Sequence, residues 1–176
     1  MSIQIKRATR IVKLVTDLSL RAEYDQAVED LDRARKATTT DNRLTGSTEA
    51  RNAAQRVVDL EKAMDDSIVL VTLTALPSAK YEEIKEKHPA REDNDVDSRF
   101  GVNVDAFFPV AITESVVIVR AKATGETVEM EAGEWPQLLE DISNAQFSDF
   151  VDAVLELNQV SSEVPFSRLA SSLIQG

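Results

Sequence analysis

Asp93, Asn94, Asp95, Val96 and Asp97 set carboxylates at alternate positions, the spacing with which an EF-hand loop begins to wrap calcium. A complete loop needs glycine at its sixth position, for a sharp turn, and a bidentate glutamate at its twelfth. This chain has Ser98 and Val104 there, so the segment reads as a solvated acidic loop and no metal-binding residue is expected. Nucleophilic catalysis is short of parts. The single histidine, His88, precedes Pro89 at what reads as a helix end, and there is neither a cysteine nor a GxSxG elbow. The five glycines form neither a GxxxxGKS/T nor a GxGxxG loop, so the phosphates of a nucleotide would find no backbone cradle. With 31 acids, no carboxylate pair stands out as an acid–base couple. Trp135, Phe147 and Phe150 fall at helical spacing and are expected in the core. These absences point away from an enzyme, with no catalytic residue and no cofactor.

Composition narrows the class further. At 176 residues and 43% apolar, the chain can bury a real core, built mostly of Leu, Val, Ile and Ala because aromatics are only 5%. Lack of cysteine suits a reducing compartment. No apolar run approaches the roughly 20 residues that span a bilayer, and MSIQIKRATRIVKLV lacks the apolar region of a secretory signal. The net charge of −11 repels phosphate backbones, so neither nucleic acid nor membrane is an expected partner. The charge is unevenly placed. Residues 1–16 carry Lys6, Arg7, Arg10 and Lys13 and no acid, whereas residues 121–176 carry ten acids against two bases.

The elements that would position these residues follow from periodicity. Arg10–Thr16 reads as a short β-branched strand. Asp17 reads as an N-cap, and Leu20, Tyr24, Ala27, Val28, Leu31 and Ala34 form a helical stripe to Ala37. Residues 38–46 read as a polar loop. Ser47 or Thr48 then starts a second helix with the stripe Ala50, Ala54, Val57, Leu60 (or Glu61) and Met64, running into a strand at Ser67–Ala75. Two helices of similar length return the chain to its starting point, so the two strands should pair antiparallel with the helical hairpin as an arm. Pro77 ends the strand, and Lys80–Lys87 forms a helix with Tyr81 and Ile84 inward. A charged loop over 90–103 and an apolar stretch at Phe107–Val116 follow. A β-hairpin near 116–131, turning at Thr124-Gly125-Glu126, is expected next. A helix then starts at Trp135-Pro136, Ser143 with Gln146 makes a capping box, and a helix carries Phe147, Phe150, Val151, Val154 and Leu157 to Asn158. The expected fold class is α+β, mainly α. Its units are a strand–helical hairpin–strand arm (1–76), a mixed helical region (77–160) and a loose tail (161–176).

Five stretches occur in a telling order: EARNAAQRVVDLEKAMDDSIVLVTLTALP, KYEEIKEKHPAR, FGVNVDAFFPVAI, EWPQLL and AQFSDFVDAVLELN, together covering much of residues 49–158. They resemble the tail assembly chaperones of long-tailed actinobacterial phages. There an Ala-rich helix runs into a strand like STVTFxxxALP, followed by a helix ending in HPPR, a segment like FNVDTFPxALI, a Trp-containing turn and a GQFxxLFxAAxxLN helix. Here HPPR is HPAR and Phe108 stands where proline is frequent. The resemblance implies a non-enzymatic protein of the infected host cytoplasm that keeps the phage tape-measure protein soluble while tail-tube subunits polymerise. In such families a frameshifted longer form recruits those subunits. A virion structural role, as a minor tail or tail-completion protein, is the alternative. The second hairpin helix, through Val57, Leu60 and Met64, is the expected contact for the partner, with the outer face of Phe147–Leu157 as the other candidate.

Overall fold

A computed structural model describes residues 4–40 and 44–159; the tail expected at 161–176 lies outside them. The chain runs β1 (Thr9–Val15), α1 (Leu20–Thr40), α2 (Leu44–Asp66), β2 (Ile68–Thr74), α3 (Ser78–Lys87), α4 (Asp95–Phe100), α5 (Val104–Ser115), β3 (Val116–Ala121), α6 (Trp135–Asp141) and α7 (Asn144–Gln159). The fold is α+β and mainly helical, with one antiparallel sheet in the order β1-β2-β3. β1 and β2 pair antiparallel from Thr9 opposite Thr74 to Val15 opposite Ile68, with the helical hairpin between them in sequence, as expected.

Strand pleat decides what the sheet buries, because alternate side chains point to opposite faces. Val12 and Leu14, Val71 and Leu73, and Val119 point inward and are at most 5% exposed. They meet Leu76, Ile84, Phe107, Ala111, Leu139, Phe150 and Val154 in one core, with α5 and α7 packed on β1 and β2. The hairpin has its own small cluster of Ala27, Val57 and Leu60, flanked by Leu20, Tyr24, Val28 and Leu31.

Several local expectations need correction. Asp17 stands at the entrance to α1 as expected of an N-cap, its carboxylate accepting from the Ser19 N–H (3.0 Å) and hydroxyl (2.6 Å), although the regular helix begins only at Leu20. α2 begins at Leu44, ahead of Ser47 and Thr48. No proline interrupts Leu44–Thr48, so helical bonding continues through Gly46 at a cost of about 1 kcal/mol. The stretch around Phe107–Val116 is helical, although Pro109 lies inside α5. An internal proline costs roughly 3 kcal/mol, whereas burying Phe107, Phe108 and Ile112 contributes about 1.5–3 kcal/mol each, so burial wins.

The hairpin expected at 116–131 is only begun. β3 pairs with β2, and its return segment holds the single bridge Arg120–Thr127 and a bond from the Val128 N–H to the Val119 carbonyl (2.9 Å). Beyond it Met130 turns to pack against the main core, which draws the chain off the strand edge. No helix among the described residues is long and apolar enough to cross a membrane.

Candidate functional site

Val57 and Leu60 sit in the seam between α1 and α2, each 9% exposed, against Ala27, Leu31 and their neighbours. Met64 is half-buried further along the same helix. The stripe closes on the matching stripe of α1, so two narrow apolar faces bury each other and a client contact through Val57 and Leu60 would require the seam to open. An aspartate at position 57 would place an unpaired carboxylate in this seam. Val57→Asp is expected to reduce the helical circular dichroism at 222 nm while Trp135, 3% exposed in the other core, keeps its buried emission maximum. A red-shifted Trp135 would show instead that the two clusters fold as one unit.

The acidic segment is structured rather than a solvated loop. Asn94 accepts from the N–H groups of Val96 (3.1 Å) and Asp97 (3.0 Å), capping α4. Gly101 closes the helix at φ 70°, a left-handed conformation that favours glycine, and its N–H reaches the Asp97 carbonyl (2.7 Å). The Asp97 carboxylate is fully buried. It accepts from Arg91 Nε (2.6 Å), Arg91 Nη2 (3.0 Å), the Arg91 N–H (3.1 Å) and the Val104 N–H (3.2 Å). Those bonds, led by the guanidinium, hold Asp97 well below the usual carboxylate range despite burial, and raise Arg91. The carboxylate that counted towards a calcium loop is thus spent on tying α3's exit to the start of α5. Among the described residues no three His, Cys, Asp or Glu side chains come together to hold a metal ion.

The residues that carry the five sequence motifs touch one another. The Leu76 N–H, from the Ala-Leu-Pro stretch, donates to Asn158 Oδ1 (2.8 Å), and Asn158 Nδ2 donates back into α7 at the Val154 carbonyl (2.7 Å). His88, at the end of α3, accepts at its carbonyl from the Asn103 N–H (2.9 Å), while the Asn103 side chain caps α5 at the Ala106 N–H (3.3 Å). Tyr81 meets Phe107 edge-on with ring centroids 5.4 Å apart, and its hydroxyl accepts from Gln159 Nε2 (2.8 Å). Ser143 and Gln146 form the expected capping box, with Gln146 Nε2 also donating to the Val15 carbonyl at the end of β1 (2.9 Å). Trp135 and Phe150 lie in the core, as their spacing implied, and Phe147 packs at its margin. The chain matches no protein-family model, no curated protein and no solved structure.

Among the described residues, one face of the sheet is left open. Opposite the buried Val12–Val71–Val119 row, the outward side chains form two cross-strand rows, Ile11–Thr72–Ile118 and Lys13–Leu70–Arg120, with Val15–Ile68 beside them. Ile11 is 59% exposed, Lys13 and Arg120 are exposed, and Leu70 and Ile118 are half-buried. Neither Lys13 nor Arg120 forms an ion pair among the described residues. This surface could be missed in the sequence because RIVKLVT and IVLVTLT carry apolar residues on both faces of the strand, so alternation alone does not say which face is covered.

Proposed function

We propose that this chain is a non-enzymatic tail assembly chaperone of a long-tailed phage, acting in the host cytoplasm to keep the tape-measure protein soluble while the tail tube grows. A longer frameshifted form would bring tail-tube subunits to the complex. The observation that carries this reading is the ordered succession of five motifs over residues 49–158. Their contact through Leu76–Asn158, His88–Asn103 and Tyr81–Phe107 gives that succession a physical reason, since residues that hold one core together recur together. Charge adds support: a net −11 keeps a chain soluble while it carries an apolar surface for a client.

Co-expression with the tape-measure protein of the same genome, followed by affinity capture and size-exclusion chromatography, tests the reading. The tape measure is expected to be soluble only with this chain and to co-elute with it. A tape measure that stays insoluble while this chain elutes alone, together with detection of the chain in purified particles by mass spectrometry, would favour a structural tail role instead.

A further inference from the structure

We propose that the open face of the sheet is a docking surface for an acidic amphipathic helix of a partner protein. Its apolar stripe would lie along Leu70 and Ile118, and its carboxylates would meet Lys13 and Arg120. The dimensions fit. Lys13 and Arg120 flank Leu70 from the two outer strands, two interstrand spacings or about 10 Å apart, the diameter of one α-helix at about 10 Å. A helix laid between them buries its stripe on Leu70, Ile118 and Ile11 and presents its two flanking rows of side chains to the two cations.

Charge selects the occupant. The chain as a whole carries −11, yet this apolar face displays two cations that form no ion pair among the described residues and lies next to an N-terminal stretch with Lys6 and Arg7 and no acid. An acidic helix gains attraction here and a basic one is repelled, so the face discriminates by sign as well as by shape. The chain's own residues 160–176 offer no such match, since Glu163 and Arg168 cancel. A second copy would bring another −11 towards the first, which opposes association at long range. The inference rests on the chaperone reading only for the identity of the partner; the surface and the chemistry it selects do not depend on it.

The test uses the full chain and a synthetic helical peptide of about three heptads, with a leucine stripe flanked by glutamates, beside its twin flanked by lysines. The glutamate peptide is expected to shift the backbone amide resonances of Ile11, Lys13, Leu70, Ile118 and Arg120 and to bind at least about tenfold more tightly than the lysine peptide. In the double variant Lys13→Glu/Arg120→Glu, both positions being exposed, that preference is expected to reverse, an outcome that a damaged fold cannot produce. Shifts confined to α1 and α2, or equal binding of the two peptides, would overturn the proposal. So would a wild-type dimer in sedimentation that dissociates in the double variant, since a second copy would then be the occupant. A nitroxide at Ser172→Cys that broadens the Lys13 and Arg120 amides of the free chain would overturn it in favour of the chain's own C-terminal residues. The two readings separate with the tape measure itself. If the two peptides bind alike while wild type and double variant both solubilise the tape measure, the chaperone reading stands and the docking face falls. If the peptide preference reverses but wild type leaves the tape measure insoluble, the face stands and the chaperone reading falls.

Discussion

Replacing Phe107 with alanine is expected to lower the unfolding free energy by about 3–5 kcal/mol, a large share of the roughly 5–15 kcal/mol that holds a domain folded. Phe107 is 1% exposed and sits where α5 meets the rest of the core. Its ring stands edge-on to Tyr81 at 5.4 Å and to Phe108 at 5.2 Å, so truncation removes two aromatic contacts as well as the buried area. α5 packs on α3, α4, α6, α7 and β2, and elements fixed from so many sides cannot all close on the space left behind. Phe107→Leu, which keeps most of the volume, should cost distinctly less, and Ile11→Ala on the open sheet face should stay within about 0.5 kcal/mol. Urea titration followed by Trp135 fluorescence reads all three variants. A loss below about 1 kcal/mol for the alanine variant would show that α5 relaxes into the cavity and is not the fixed centre of the core.

The strand pair and the helical hairpin were legible because their cues are local and agree. β-branched runs flank two stripes of equal length, and equal lengths return the chain to its origin. The α3 helix, the Ser143–Gln146 capping box and the burial of Trp135 and Phe150 were legible for the same reason. α5 was not, because Pro109 signals a break and Phe107 through Ile112 is apolar on nearly every face; only the surrounding elements decide in favour of helix. α4 was hidden by its acids. A six-residue helix of DVDSRF has little propensity of its own and is held by the Asn94 cap and by Arg91, six residues ahead of its partner Asp97. The candidate site divides along similar lines. The stripe through Val57 and Leu60 was correctly seen as apolar, but periodicity does not reveal whether such a stripe meets a client or the next helix. The cationic rows on the sheet depend on the pairing of Lys13, Leu70 and Arg120 across three strands, and no local pattern contains that register.

Asp97→Asn is the second large effect expected, and its signature is a dependence on pH. The substitution preserves shape but puts a neutral amide where a fully buried carboxylate met the Arg91 guanidinium and two backbone N–H groups. Arg91 is partly exposed and keeps its ion pair with Asp105 (2.8 Å), so the change removes charge-assisted hydrogen bonds at a buried site, and the midpoint of thermal unfolding should fall by roughly 5 °C at neutral pH. The sign of the pH effect follows from the direction of the shift. Asp97 is held below the ordinary aspartate value of 3.8 in the folded protein, chiefly by the Arg91 hydrogen bonds, so between those two values the unfolded chain binds more protons. Its stabilisation is complete above the ordinary value and is lost as pH falls through the lower, folded-state value. The gap between wild type and Asp97→Asn should therefore be widest near neutrality and narrow progressively below about pH 4. Arg91→Gln combined with Asp97→Asn should cost less than the sum of the single changes, because both remove the same charge-assisted hydrogen bonds. A gap that stays constant on acidification, or strictly additive losses, would show that Asp97 acts through shape alone and that the guanidinium is dispensable to the corner between α3 and α5.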